Sequence, residues 1–199
     1  MAPRRSRKAG KLGAGAERRR QRRLEQGVLR GLQSTCEGLS RITEPDCVRV
    51  VTSPEGVSKL NLLGCSMITL PDSIGGLKAL RELSLTDCWD LTALPASIGE
   101  LKLLEKLYLT HCRALAALPA TIGDLKSLRD LDLDDCRRLV ALPDSIGGLS
   151  ALKGLYLGGC SKLASLPAAI GDLKVLTALG LSGARVSQCC PTRSAVSQR

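Results

Sequence analysis

The side chains best equipped for chemistry in this chain are its thiols. Nine cysteines stand among 199 residues, and five of them, Cys65, Cys88, Cys112, Cys136 and Cys160, share one column of a regular spacing. Thiolates in number suggest zinc, but zinc takes about four ligands at the corners of a tetrahedron, whereas a column presents them in a line. Thiols in a line leave a ladder of small side chains, each a weak S–H donor, as the alternative to zinc. Disulfides between rungs are within reach by distance and are disfavoured in a reducing compartment. His111 is the single histidine and adjoins Cys112. Successive side chains on a strand point to opposite faces, so the two are not expected to form a nucleophilic pair. Asp130, Asp132, Asp134 and Asp135 crowd into six residues. The first three lie two apart and would share a strand face, about 7 Å between neighbours. Like charges in line repel, which leaves open a solvated polar face, an acidic seat for a Lys- or Arg-rich partner, and calcium. For calcium the chain lacks a loop that would wrap the ion. No G-x-x-x-x-G-K-[ST] phosphate loop and no serine-centred catalytic signature occur. The expectation is a protein without catalytic residues, cofactor or metal.

The regularity that places these side chains is a repeat. Leu70, Leu94, Leu118, Leu142 and Leu166 each begin "LP", each 24 residues after the last. The unit reads L-P-x-x-I-G-x-L-x-x-L-x-x-L-x-L-x-x-C-x-x-L-x-x, with Ile74, Ile98, Ile122, Ile146 and Ile170 in one column and the following glycines in the next. A partial unit, 60–70, is one residue shorter between its strand and its "LP". "L-x-L" is period-2 alternation and predicts a short strand with one buried face. Proline ends the ladder. Isoleucine and leucine three residues apart predict a helical or 3₁₀ turn with one apolar side, and the glycine between them a tight bend. One unit cannot bury its leucines alone, and stacked units share a core.

This pattern resembles the leucine-rich repeat of plant disease-resistance (NB-LRR) receptors, of plant intracellular Ras-group-related repeat proteins and of Roco-type proteins. The resemblance covers about residues 57–189. It implies an α/β solenoid, a curved stack with a parallel sheet on the concave face and short helical or 3₁₀ turns on the convex face, used to bind protein. It also implies that the cysteine column points inward and bonds the turn backbone.

Strand phase then says where a partner would sit. The middle outward row runs Asn61, Ser84, Tyr108, Asp132, Tyr156, Gly180. A preceding row runs Lys59, Glu82, Lys106, Asp130, Gly154, Ala178, and a following row Leu63, Thr86, Thr110, Asp134, Gly158, Ser182. All three aromatic residues of the protein, Trp89, Tyr108 and Tyr156, map to this region, in a chain with no Phe. Tyr and Trp are the residues most enriched at binding hot spots. Trp89, Tyr108, His111, Asp130, Asp132, Asp134, Asp135 and Tyr156 are therefore the expected partner-binding residues, for a protein partner with a basic surface.

Charge divides the chain. The formal net charge is +10, but residues 1–30 hold eleven Lys or Arg against two Glu, which leaves +1 for the rest. Averaging would make the whole chain look like a nucleic-acid binder, whereas nucleic acid is expected only through the tail. Residues 1–27 read as a basic disordered tail without hydrophobic period. Arg4 to Arg23 leave a nuclear signal, a transit peptide or a weak RNA contact open, and docking of the tail on the aspartates in cis is a further option. Residues 28–56 read as a degenerate capping region with a short helix and a strand at 47–51, residues 57–189 as the repeats, and 190–199 as a disordered tail in which the leucine columns have vanished. That ending points to a fragment, an unusual splice form or one part of an assembly, with Cys189 and Cys190 as exposed thiols. No stretch reaches the roughly 18 apolar residues of a membrane span, and no secretory signal is visible. Together these predict a non-enzymatic interaction module, intracellular and cytoplasmic, in signalling or defence. The alternatives are the sensing portion of a larger NB-LRR or Roco-type NTPase and a nucleic-acid-associated adaptor.

Overall fold

Each full repeat places a three-residue strand whose central leucine points in. The computed structural model describes residues 14–37 and 48–184. Within them, strands β1 (Val48–Ser53), β2 (Gly56–Leu62), β3 (Glu82–Ser84), β4 (Lys106–Tyr108), β5 (Asp130–Asp132), β6 (Gly154–Tyr156) and β7 (Ala178–Gly180) form one sheet in sequence order. β1 and β2 are antiparallel, and every later pair is parallel. Leu60, Leu83, Leu107, Leu131, Leu155 and Leu179 stand in step across the sheet. The ladder continues past the short strands. Leu109 N–H donates to Asp132 O at 2.8 Å, and His111 N–H to Asp134 O at 2.8 Å. Neighbouring coils repeat both bonds, so the backbone amides of the turn find partners in the next coil rather than in water.

The return path is equally regular. Pro71, Pro95, Pro119, Pro143 and Pro167, with φ between −69° and −66°, each precede a five-residue 3₁₀ turn, Asp72–Gly76 in the first coil and Ala168–Asp172 in the last. Ile74, Ile98, Ile122 and Ile146 drop from those turns into the core with no exposed surface, and leucines fill the remaining columns as completely. The expected architecture, a solenoid with its sheet on one side and 3₁₀ turns on the other, is the one present.

The cysteine column points inward and forms hydrogen bonds. The Cys88, Cys112, Cys136 and Cys160 thiols donate to the carbonyls of Leu62, Leu85, Leu109 and Leu133 in the preceding coil, at 3.1 to 3.3 Å. Each thiol is thus a second donor to a turn carbonyl that also accepts a backbone N–H from its own coil. Burial pushes the Cys160 thiol up to about 11, and Cys112 and Cys136 higher still, the latter two also raised by neighbouring thiols. These groups stay protonated and are inert as nucleophiles or ligands.

The glycine column has a different cause from the bend expected. Gly75, Gly99, Gly123, Gly147 and Gly171 do not take left-handed backbone. A Cβ on Gly99 would lie 2.6 Å from Thr121 O, and one on Gly147 would lie 2.7 Å from Ala169 O, in each case the carbonyl of the next coil's turn. At Gly171, where no described coil follows, the same Cβ would meet nothing. Close approach between coils selects the glycine, not backbone freedom.

The N-terminal end departs from expectation. A 24-residue helix, α1 (Ala14–Glu37), begins inside the stretch read as a disordered tail. Val28 and Leu32 are four apart and buried, so an apolar stripe was present beneath the arginines. α1 packs on β2 and on the Asp72–Gly76 turn. Gln21 Nε2 fixes it by donating to Gly76 O at 2.7 Å. The described part of the basic segment therefore docks at the first coil and not on the aspartates of β5. The solenoid's first coil is capped by α1 and the β1–β2 hairpin together. Residues 1–13, 38–47 and 185–199, with Arg4–Lys8, Cys189, Cys190 and the C-terminal tail, lie outside the described residues. At the far end Leu166, Ile170, Leu176, Leu179 and Leu181 are only partly buried.

The glycine account predicts opposite outcomes at two equivalent positions. Gly99→Ala should destabilise by about 1 to 3 kcal/mol, the usual range for overpacking. Gly171→Ala should be neutral or stabilise by up to about 1 kcal/mol, through loss of unfolded-state freedom. Urea melts of the two variants check this, and equal destabilisation would contradict it.

Candidate functional site

The outward rows of the sheet come together as the strand phase requires. Asn61, Ser84, Tyr108, Asp132, Tyr156 and Gly180 pair in register. Tyr108 and Tyr156 thus flank Asp132 on adjacent strands, one strand spacing of about 4.8 Å to either side. Tyr108 is half-buried and Tyr156 exposed. The row beside it alternates in charge across the strands as Lys59, Glu82, Lys106 and Asp130, then becomes bare at Gly154 and Ala178. Lys59 Nζ meets Glu82 Oε2 at 3.0 Å. Lys106 is held above its ordinary range by the Tyr108 hydroxyl first, then by Glu82 and Asp130. Bare backbone beyond Asp130 lets the Tyr156 ring lie along its own strand. A Cβ on Gly154 would come within 3.0 Å of that ring and of Asp130 Oδ1.

The four aspartates have unequal roles. Asp132 Oδ1 accepts Asp134 N–H at 2.9 Å, closing the turn after β5. Asp134 Oδ1 accepts Gly158 N–H from the next coil at 2.6 Å. Burial, opposed by that bond and aided by Asp132 and Asp135, raises the Asp134 carboxyl. Asp135 meets Arg137 Nε at 3.1 Å. Three of the four carboxylates thus already hold partners in the fold, and the run is partly a set of turn-closing acceptors.

A turn column unforeseen from sequence organises the rim. Asp87, His111 and Asp135 have φ of 60°, 61° and 57°, and Gly64, Gly159 and Gly183 occupy the same place in their coils with φ of 65°, 67° and 73°. Asp, His and Gly are the types that tolerate this left-handed region best, and their recurrence one residue before the cysteine column was the available signal. His111 therefore lies in a turn and not on a strand, which corrects the reason for its separation from Cys112. Its Nδ1 lies 3.4 Å from Asp135 Oδ2, without hydrogen-bond geometry. Trp89 stands in the turn past β3, off the sheet itself and 44% exposed. Its indole N–H donates to Asp87 Oδ1 at 3.2 Å, and the Arg113 guanidinium lies 5.2 Å over its ring. Arg113 and Asp87 were not among the expected residues. The candidate residues thus form a Tyr–Asp–Tyr column on the sheet and a Trp–Arg rim beside it. No group of His, Cys, Asp or Glu among the described residues could hold a metal ion.

Comparisons with known proteins agree with this architecture. A leucine-rich-repeat family model matches residues 127–149. The leucine-rich-repeat ectodomain of the receptor kinase SOBIR1 from Arabidopsis thaliana superposes with a TM-score of 0.54 at 21% identity, over 82% of this chain and 94% of that one. A plant ice-binding protein gives 0.53 at 21% identity, over 76% and 53%. A leucine-rich-repeat protein of Leptospira interrogans is 31% identical over 67% and 46%, with a TM-score of 0.36. No curated protein sequence matches the chain significantly. At these identities the first two likenesses are likenesses of fold.

Asp134 generates a pH prediction. Its folded carboxyl titrates above its unfolded value, so the stability linked to it is complete below the unfolded pKa and declines as pH rises through the folded one. Asp134→Asn keeps an oxygen acceptor for Gly158 N–H and removes the charge. The variant should melt about 1 to 2 °C above the parent at pH 7, with the gap closing below about pH 4. Melting curves at both pH values measure it, and a lower melting point at pH 7 would contradict the assignment.

Proposed function

We propose that this leucine-rich-repeat protein is a non-enzymatic docking module that takes another protein on its concave sheet. The carrying observation is the Tyr108–Asp132–Tyr156 column, aligned in register on a molecule whose buried core holds no aromatic ring. Tyr108 and Tyr156 supply apolar area at low conformational cost. Asp130 and the outer oxygen of Asp132 favour a partner segment that bears Lys or Arg, giving charge selection and faster encounter. Trp89 with Arg113 extends the surface along the rim. Asp134, Asp135 and His111 shape the turns that hold the column rather than meeting the partner directly.

Two further observations support parts of this reading. Cys65, Cys88, Cys112, Cys136 and Cys160 are buried free thiols, which suits the reducing interior of a cell. No helix among the described residues is long and apolar enough to cross a membrane.

Tyr108→Ala combined with Tyr156→Ala tests the column. Two hot-spot truncations should weaken partner capture about 10- to 100-fold, while the melting temperature stays near that of the parent because neither ring belongs to the leucine core. Quantitative pull-down from cells, with wild-type and double-mutant baits in parallel, reads the difference. Equal capture of every partner by both baits would remove the concave-face reading.

A further inference from the structure

The arginines of α1 form a second surface, distinct in place and chemistry from the concave sheet. At 100° per residue, Glu25, Val28 and Leu32 define one side of the helix, and all three are buried. Arg19, Arg23 and Arg30 then fall within an arc of about 40° on the opposite side, spread over about 16 Å of helix axis, with Arg20 beside them. All four are exposed. None forms an ion pair among the described residues. Elsewhere several long cations are engaged. Lys78 meets Glu100 at 2.6 Å, Arg81 meets Glu105 at 2.7 Å, and Lys126 donates to the carbonyls of Gly123 and Gly148 at 2.7 Å each. Glu25, the buried acid of α1, is turned inward and bonded by Gln21 at 3.3 Å. The helix thus holds a cationic row on a fixed support, without an ion pair among the described residues, with Glu25, Val28 and Leu32 facing the solenoid and Leu24 53% exposed at the edge of the row.

The helix's packing narrows the partner. A helix that lies in a membrane interface needs an apolar face for the acyl boundary, and the apolar face of α1 is already buried against β2 and the first 3₁₀ turn. A protein interface would want an aromatic or aliphatic centre, and the outward arc has none, its nearest large apolar group being the single Leu24 at its edge. What remains is a regular polyanion that pairs with separated guanidinium groups and needs no apolar contact. A nucleic-acid backbone is such a ligand, with one charge per about 1.7 Å of duplex axis. We infer that the outward row Arg19, Arg20, Arg23 and Arg30 binds the phosphate backbone of nucleic acid, without reading sequence. The concave sheet remains open to its own partner, so the two surfaces are independent.

Fluorescence anisotropy of the full chain with a 20-base-pair DNA duplex, across a series of salt concentrations, tests this. The quadruple variant Arg19→Gln/Arg20→Gln/Arg23→Gln/Arg30→Gln keeps good helix formers at exposed positions, and circular dichroism should show unchanged helix. It should lose at least about tenfold in affinity at about 0.1 M salt, and the slope of log K against log[salt] should flatten by about 3 to 4, near 0.9 for each phosphate no longer neutralised. Scrambling the duplex sequence should change nothing. A quadruple variant with parental affinity and slope overturns the inference. So does binding of the parent to vesicles containing phosphatidylserine with none to the duplex, which would assign the row to a membrane surface.

Discussion

A single 24-residue coil has no interior, and the whole molecule follows from that. Leu131 and Ile122 are sealed only because Leu107 and Leu155, Ile98 and Ile146 stand on either side. The same neighbour supplies the polar bonds. Backbone amides past each strand donate forward to the next coil, and each of the cysteine thiols from Cys88 to Cys160 donates back to the previous one. Burial of apolar area and satisfaction of backbone groups therefore act through the same stacking, and neither could be kept if a coil shifted by one residue. Such coupling explains why the interior columns recur so strictly. A thiol suits its column because it is small, largely apolar and still a donor. A methyl group would remove that weak donor, while the carbonyl would keep the backbone amide that already donates to it within its own turn.

Strict stacking raises the problem of ends, which the two sides of the solenoid meet differently. At the start, β1 closes the edge of β2 in antiparallel fashion, and α1 covers the first coil with Val28 and Leu32. An antiparallel hairpin is the natural end for a parallel stack, because it satisfies an edge without another crossover. At the other side the last described coil keeps the repeat's geometry with half-exposed leucines. Gly171 retains the repeat's glycine although no described residue presses on it there.

These contrasts also separate what could be read in the sequence from what could not. Periodicity revealed the strands and the turns after proline, because each rests on a column repeated five times, and the family resemblance supplied the inward direction of the cysteines. It suggested the wrong reason for the glycines, since a tight bend and a close approach leave the same signature and only the neighbouring carbonyl tells them apart. α1 was hidden by its composition. Arg18, Arg19, Arg20, Arg22 and Arg23 dominate the segment, and the two buried apolar residues that fix the helix occur only once, so no repeat amplified them. On the outward face of the sheet the rows and the Tyr108–Asp132–Tyr156 alignment followed from phase. The internal duties of Asp132 and Asp134 did not, because an aspartate that closes a turn and one that awaits a partner look alike until the bonded amide is located.

The coils of one chain serve as controls for each other, and their differences bear on where recognition resides. Identical coils would place identical side chains about 4.8 Å apart along every row. Leucine, isoleucine and cysteine tolerate this and pack well under it. Charges do not, since a row of one sign repels along its length. The outward rows avoid that by changing at every step, from Lys59 to Glu82 to Lys106 to Asp130 in one and from Ser84 to Tyr108 to Asp132 to Tyr156 in the next. Relief of repulsion accounts for alternation of sign in the first row, and small polar residues would satisfy it in the second. It does not account for two tyrosines set around an aspartate, in a molecule that spends no aromatic ring on its core. The stack constrains the interior to sameness and leaves the outward positions free to differ, on the turns as well as on the sheet, and on the sheet that freedom is where the two tyrosines around an aspartate stand.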